Sequence, residues 1–418
     1  MTIMETLRFL TPELVRSIAT EFGTPSYVYD EATLEQRARE ALNFPNAFGL
    51  TVRFAMKACP NRNILQLMDN WGLSFDCSSG YEVQRAIAAG ISAEKLSLST
   101  QELPENIGEI LDRGVHVNAC SLSQIEKIGQ VRPGHRIGLR FNPGRGSGGN
   151  NQTNVGGPAS SFGIWYEKLG IVQQIVEKHS LVVDTVHTHI GSGSDPKVWQ
   201  EVAHDSMELA IAFPELTHLN LGGGYKVGRM SSETSTNLSI VGAPVKEIFE
   251  QVAAETGRKL RLEIEPGTYL VANAGALVTT ACDIVDTGES GYTFIKVDSG
   301  MTELLRPSLY GSQHPIVAIP SQQHDVTHDY IIVGHCCESG DLISCAPDEP
   351  AILKTRTLAE IRIGDPVVIE GTGAYCSAMP AKNYNSFPEA AEVLVNKHGI
   401  ARLIRKRQDP EAIWANEV

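Results

Sequence analysis

No stretch of this 418-residue sequence approaches the roughly 18 consecutive apolar residues that a membrane-spanning helix needs. The opening MTIMETLRFLTPEL lacks a basic start, an apolar run and a small-residue cleavage site, so no signal peptide is read and a cytoplasmic location is expected. Positive charge is scarce: 35 Lys and Arg stand against 49 Asp and Glu, a formal net charge of −14. That balance argues against nucleic acid or an anionic membrane as the main partner, while a local basic site for an anionic substrate stays open. The eight cysteines are scattered and show no CxxC spacing, which excludes a zinc ribbon and argues for free thiols in a reducing compartment; no metal site is expected. Gly and Pro are near average, charged residues make up 20% and apolar residues 42%, which excludes collagenous and disordered chains and leaves a globular enzyme-like composition.

A chain of this length suggests two domains. Over residues 50 to 265, eight β-rich runs alternate with amphipathic stretches: Thr51 to Lys57, Leu73 to Cys77, Lys95 to Ser99, Val115 to Cys120, Arg136 to Pro143, Val182 to Ile190, Leu216 to Gly224 and Arg261 to Gly267. Eight strands alternating with helices predict an α/β fold, a parallel (β/α)8 TIM-like barrel. After about residue 280 the β runs crowd together without helices of useful length, which predicts a C-terminal antiparallel β-sandwich or barrel domain. The expected division is a barrel over 26–280 and a β domain over 1–25 and 281–418, with Tyr27 to Asp30 as the entering strand. The Gly-, Asn- and Ser-rich run from Asn142 to Ser161 is expected to be a mobile loop over the barrel mouth.

Barrel active sites lie at the C-terminal ends of the strands. Lys57 is read at the end of the first strand, His189 at the sixth with Ser192 just beyond, Gly222, Gly223 and Gly224 at the seventh, and Glu265, Pro266 and Gly267 at the eighth. Glycines after strands seven and eight let backbone N–H groups approach phosphate oxygens closely. A glycine triplet alone is commonly a turn and a strand-end lysine commonly a solvated charge; their coincidence at one face is the signal.

The motifs FAMKACPN (Phe54 to Asn61), GLSFDCSSGYEV (Gly72 to Val83), HTHIGSGSD (His187 to Asp195), LGGGY (Leu221 to Tyr225), EPG (Glu265 to Gly267), LRPSLYGSQH (Leu305 to His314), CCESGD (Cys336 to Asp341) and GAYCSAMPAKNYNSFPEAAEVLV (Gly373 to Val395) run in order through nearly the whole chain. This set resembles the fold-type III pyridoxal-phosphate decarboxylases, the alanine-racemase-like barrels, and within them the diaminopimelate decarboxylase family. The resemblance implies pyridoxal 5′-phosphate as cofactor and decarboxylation of meso-2,6-diaminopimelate to L-lysine and CO2, the last step of lysine biosynthesis.

By that resemblance Lys57 carries the cofactor covalently through its amine. His189 stacks on the pyridine ring, and Glu265 pairs with the ring nitrogen and keeps it protonated. Ser192, Gly223, Gly224, the backbone at Gly267 and the Tyr375 hydroxyl hold the phosphate. Asp76 and Arg140 stand near the lysine. Cys337 and Glu338 are implied to reach into the active site of a neighbouring subunit of a homodimer. There Cys337 reprotonates the carbon that has lost CO2 and Glu338 meets a substrate ammonium group. Arg306 and Tyr310 grip the substrate's distal carboxylate, since a guanidinium matches a carboxylate bidentately, with Tyr375 as a further contact. Two positions depart from the family pattern: Thr268 stands where many relatives carry Arg, and Ser161 where many carry Lys. The alternatives are a decarboxylase of ornithine, lysine, arginine or a carboxylated polyamine such as carboxynorspermidine, an amino-acid racemase on the same barrel, or a non-catalytic cofactor-binding regulator. Arg306 argues against the first, CCESGD against the second, and the presence of Lys57 and Cys337 against the third.

Overall fold

The computed structural model describes residues 4–144, 156–189, 195–322 and 326–418. Its internal contacts divide the chain into two units, Glu35–Lys226 with Ser235–Leu270, and Met1–Leu34 with Val227–Thr234 and Val271–Val418.

The first unit is a closed parallel barrel. Its eight strands are Leu50–Ala55, Ser74–Cys77, Leu96–Ser99, His116–Ala119, Arg136–Asn142, Val182–Thr188, His218–Asn220 and Arg261–Ile264. Each pairs in parallel with its neighbour in sequence, and the eighth closes on the first through Leu262 to Leu50 and Ile264 to Val52. A two-residue strand, Ile164–Trp165, adds to the fifth strand outside the ring. All eight runs read from the sequence are strands, and six of them end earlier than read, where the chain turns to form the site; Ser74–Cys77 and Leu96–Ser99 end where they were read. Several of the helices between them begin on side-chain caps: Ser79 accepts from the Glu82 N–H, Ser121 from Gln124, Asp195 from Lys197, and Asn237 from Ser239 and Ile240. Inside the barrel, Arg53 and Glu263 form a buried bidentate pair at 3.0 and 2.8 Å, each satisfying the other's desolvated charge.

The second unit is built on one nine-stranded sheet. Its central strand is the 12-residue Gly275–Asp286. The first half of that strand pairs with Ser26–Asp30 and Pro366–Glu370, and after an irregularity between Ala281 and Asp283 the second half pairs with Thr293–Val297. The helix Pro12–Phe22 packs Val15 and Ile18 against Val28, Val278, Val368 and Val393. The expectation of an antiparallel domain is corrected here: the sheet is mixed. Ser26–Asp30 runs parallel to Ala391–Val395, and Thr293–Val297 runs parallel to Thr327–Val333. Parallel pairing needs long connections, and strand periodicity carries no information about direction. The units also divide at 34/35 and 270/271, not at 25/26 and 280/281. Ser26–Tyr29 and Gly275–Val278 hydrogen-bond to each other, so both stay with the sheet.

Candidate active site

In the barrel unit, the sequence-predicted residues gather where the strands end. Lys57 is not the last residue of its strand. It lies in the following one-turn 3-10 helix, Met56–Ala58, with its side chain exposed between buried neighbours. The Ala55 N–H donates to the Pro266 carbonyl at 3.2 Å, which ties the lysine turn to the Glu265–Gly267 segment. Asp76 is on the second strand, His189 directly after the sixth, Gly223 and Gly224 after the seventh, and Glu265 directly after the eighth.

Glu265 is 7% exposed, and its carboxylate is the electrostatic centre of this group. Asn220 Nδ2 donates to its Oε1 at 2.7 Å, while Asn220 Oδ1 accepts from the Gly222 N–H at 2.8 Å. One amide thus fixes both the carboxylate and the glycine turn. The turn is fixed again from the Glu265 side, where its own N–H donates to the Gly222 carbonyl at 2.7 Å. His187 Nε2 lies 3.3 Å from Glu265 Oε2 without the alignment of a hydrogen bond. Burial pushes the Glu265 carboxyl up, but His187, Arg140 and His189 outweigh it and hold Glu265 well below the usual carboxylate range. Asp76 goes the other way. Burial, followed by the negative charge of Glu265, raises it well above the usual range, against Lys57 and Arg140. Two buried carboxyls facing each other do not both ionise; the one with the amide and the imidazole keeps the charge.

His189 has its ring fixed by the glycine turn: the Gly223 N–H donates to His189 Nδ1 at 2.9 Å, so the ring proton sits on Nε2. Burial, then the charges of Arg140 and Lys57, lower its pKa well below the ordinary value, and the ring is neutral. The closeness of this turn explains two of the glycines. A Cβ at Gly222, where φ is +70°, would lie 2.3 Å from His189 Nδ1, and one at Gly223 would lie 2.2 Å from the Glu265 carbonyl oxygen. Arg140, 5% exposed, places its guanidinium carbon 3.6 Å from the centre of the Phe162 ring. Gly267 is buried, and the half-buried Thr268 opens a four-residue helix. Ser192 lies outside the described residues, as does most of the loop expected to cover the barrel mouth. At the loop's base Asn142 and Gly157 exchange two hydrogen bonds of 2.9 and 2.8 Å.

In the β unit, the CCESGD segment is a tight loop pinned by Asp341. Its carboxylate accepts from the Met301 N–H at 2.6 Å and the Cys336 N–H at 2.9 Å. Cys336 is buried and its thiol pushed up to about 12, by burial first and then by Asp341. Cys337 and Glu338 project outward and are exposed, with the Cys337 N–H held by Asn385 Oδ1 at 2.9 Å. Arg306 and Tyr310 lie on the short helix Leu305–Tyr310, the guanidinium carbon 5.9 Å from the ring centre. Tyr375 is half-buried with φ at +56°, a left-handed conformation for a bulky residue and the kind of strain that collects at functional sites. Among the described residues, no cluster of three or more His, Cys, Asp or Glu could hold a metal ion. No described helix is long and apolar enough to cross a membrane.

Sequence reasoning missed His187 and Asn220. His187 was within reach: two residues before His189, it shares that strand face by the period of two. Asn220 carried only its place before the glycine triplet.

Residues 32–272 match the family model described as pyridoxal-dependent decarboxylase, pyridoxal binding domain. The chain is 36% identical to the diaminopimelate decarboxylase of Escherichia coli K12, over 98% of this chain and 97% of that protein. It is 33% identical to that of Streptomyces coelicolor, over 96% and 90%. It is similar to a crystal structure of diaminopimelate decarboxylase at a TM-score of 0.90, with 36% identity and 98% and 97% of the two chains covered. It is also similar to the Helicobacter pylori enzyme complexed with L-lysine at a TM-score of 0.82, with 29% identity and 96% and 98% covered.

The depressed pKa of His189 has a measurable sign. An unfolded histidine takes up a proton near about pH 6.5, whereas this ring does so only at lower pH. Between those two values the unfolded chain binds more protons, so His189 subtracts stability as pH falls through that window. Nitrogen-15 NMR of the labelled ring should show the neutral Nε2–H form unchanged from about pH 8 to pH 6; a titration midpoint near about 6.5 would contradict the assignment.

Proposed function

The chain belongs to the diaminopimelate decarboxylase family of pyridoxal-dependent decarboxylases, and from that membership we propose that meso-2,6-diaminopimelate is its substrate and L-lysine and CO2 its products. It is a carboxy-lyase that uses pyridoxal 5′-phosphate. The barrel residues fit that cofactor. An ionised, buried Glu265 suits a protonated ring nitrogen, a neutral His189 ring suits an aromatic face, and the turn at Gly222 and Gly223 has no room for a Cβ. Buried Asp76 Oδ1 and the Tyr225 hydroxyl have no protein partner there.

When bound, pyridoxal phosphate supplies an electron sink for the pair left as the bond between the α-carbon and its carboxylate breaks. Lys57 holds it covalently through Nζ. Glu265 sets its charge, at a carboxylate that Asn220 keeps from turning. Asp76, uncharged beside Lys57, adds no second negative charge to the site. The N–H groups of Gly224 and Gly267, with the hydroxyls of Ser192 and Tyr375, take the phosphate, while Gly223, whose N–H holds His189, leaves the space that a Cβ would fill. Thr268, half-buried on the turn after Gly267, offers a hydroxyl in place of a cation. Cys337 delivers its thiol proton to the α-carbon after CO2 leaves, and Glu338 receives the distal ammonium of the substrate.

The substrate assignment is carried by Arg306. Its Nε is buried with no protein partner, and Tyr310 flanks it on the same helix. A guanidinium held this way matches a distal carboxylate, which diaminopimelate has and which lysine and ornithine, reacting at their own α-carbon, lack. The exposure of Cys337 and Glu338 on a loop held by Asp341 supports their insertion into a second copy of the chain, in a homodimer with shared sites. The eight cysteines are all free, six of them buried, which supports a reducing cytoplasm.

Two experiments test this reading. In a CO2-release assay, diaminopimelate should be turned over while L-lysine and L-ornithine are poor substrates. Arg306→Ala should lower kcat/KM for diaminopimelate by roughly 30- to several-thousand-fold, the loss of about 2–5 kcal/mol when a buried charge loses its partner. Preference for lysine or ornithine would overturn the substrate. For assembly, mixing inactive Lys57→Ala and Cys337→Ala proteins should restore about a quarter of native activity through hybrid dimers with one intact site. No recovery after verified subunit exchange would mean that each site is built from one chain.

A further inference from the structure

Besides the half-buried Arg306, the β unit holds a buried guanidinium that the reading so far leaves without a task. Arg229 lies in the segment Val227–Thr234, which follows the glycine turn, and is 7% exposed. Its Nε donates to the Gly371 carbonyl at 3.0 Å, but Nη2 is buried with no partner. The nearest acidic side chain on its own segment, Glu233, is occupied elsewhere: its Oε2 accepts the backbone N–H of Arg229 at 2.8 Å and of Met230 at 3.0 Å. Arg8 approaches as a further cation and donates to the Arg229 carbonyl, so no counter-charge comes from that side.

Arg229 and Arg306 belong to one neighbourhood of the β unit: Arg229 holds the Gly371 carbonyl, the adjacent Glu370 carbonyl holds His314, and Arg306 Nη2 lies 3.3 Å from the hydroxyl of Ser312, two residues before His314. Burial, then the charge of Arg306, lowers the Arg229 pKa, and burial raises the Cys376 thiol to about 11 against the pull of both guanidiniums. Arg306 adds its own unpartnered Nε. His314 is not a third cation. Its Nδ1 donates to the Glu370 carbonyl at 2.9 Å, and burial keeps the ring neutral, leaving Nε2 as a bare lone pair. Glu370 makes no hydrogen bond to either guanidinium: Oε1 accepts the Arg8 N–H at 3.2 Å, Oε2 has no partner, and burial raises the carboxyl to about 7. Two guanidiniums from different elements thus present buried N–H groups that no carboxylate among the described residues accepts from. Buried cations of one sign are costly unless an anion completes them.

We infer that Arg229 is a specificity-determining residue: together with Arg306 it forms a two-guanidinium clamp for the substrate's distal carboxylate, supplying the positive charge that Thr268 does not. This rests on the reading that the substrate carries a distal carboxylate held at Arg306. A carboxylate has two oxygens and about four acceptor directions, so it can take N–H groups from both arginines at once. The charge absent after the Glu265–Gly267 motif is then provided from a different segment of the chain.

The product offers a clean probe. L-lysine keeps the distal carboxylate after CO2 has left the other end, whereas cadaverine has no carboxylate. Steady-state kinetics on the holoenzyme should be compared for the wild type, Arg229→Gln, Arg229→Lys and Arg306→Ala, with melting temperatures to verify folding. Arg229→Gln should raise both the KM for diaminopimelate and the inhibition constant of L-lysine by roughly 10- to 100-fold, the range for a charge-assisted hydrogen-bonded contact. The kcat should stay within about 3-fold, and inhibition by cadaverine and the dissociation constant of pyridoxal phosphate should not change. Arg229→Lys keeps the charge without the fork and should lose roughly 3- to 10-fold; it carries the test if Arg229→Gln does not fold. Unchanged L-lysine inhibition in the Arg229 variants, with Arg306→Ala weakened, would overturn this inference alone. Weakened binding of pyridoxal phosphate in place of L-lysine would assign Arg229 to the phosphate and also overturn it. If Arg306→Ala too leaves L-lysine inhibition unchanged, the distal-carboxylate reading itself falls.

Discussion

A carboxylate buried at the end of the eighth barrel strand is the constraint on which the rest of the barrel site depends. Burial alone would neutralise Glu265, and a neutral acid there could not hold a proton on a pyridine nitrogen. The fold keeps the charge by surrounding it with Asn220, His187, Arg140 and His189. The same charge then sets its neighbours: Asp76 is driven toward the protonated form. Glu265 pulls His189 toward protonation, and burial with the adjacent cations overrides it. Further into the barrel, Arg53 and Glu263 close a second buried pair, whose Glu263 also receives Asn220 at 3.3 Å. One amide therefore links the structural ion pair, the functional carboxylate and the glycine turn.

The β unit follows a different logic. Its functional groups are positioned by backbone geometry more than by mutual charge. Asp341 folds the CCESGD loop by taking two backbone N–H groups, and the loop projects one cysteine while it buries the other. Tyr375 sits in a left-handed conformation directly after the Gly371–Ala374 segment, whose first carbonyl also receives Arg229. Here the charges are left uncompensated, which suits a surface that meets an ionic substrate: Arg229 and Arg306 keep free N–H groups, and Glu338 is exposed.

Much of this was legible in the sequence. The eight barrel strands read as short apolar runs between capped helices because strands buried on both faces in a parallel sheet leave that signature. Lys57, Glu265 and the glycines stood out because they cluster at strand ends. What escaped was non-local. The direction of Ser26–Asp30 against Ala391–Val395 depends on pairing across more than half the chain, which periodicity does not encode. Lys57 was read one turn too early, since the 3-10 turn Met56–Ala58 continues the apolar run of its strand. Asn220 and Arg229 reach partners more than 40 residues away, Glu265 and Gly371, and neither sits in a motif that marks it.

The central claim is that an ionised Glu265 makes the bound cofactor an effective electron sink. Glu265→Gln keeps the shape and the Asn220 contact while removing the charge, so it isolates that role. The decisive measurement is the rate of CO2 release from diaminopimelate by the Glu265→Gln holoenzyme, with cofactor retention on Lys57 measured in parallel by borohydride reduction. The account predicts cofactor still attached and turnover lowered on the order of 100-fold or more, the scale on which a single preorganised electrostatic group acts. Turnover within about 2-fold of the native enzyme, with cofactor attached, would contradict it.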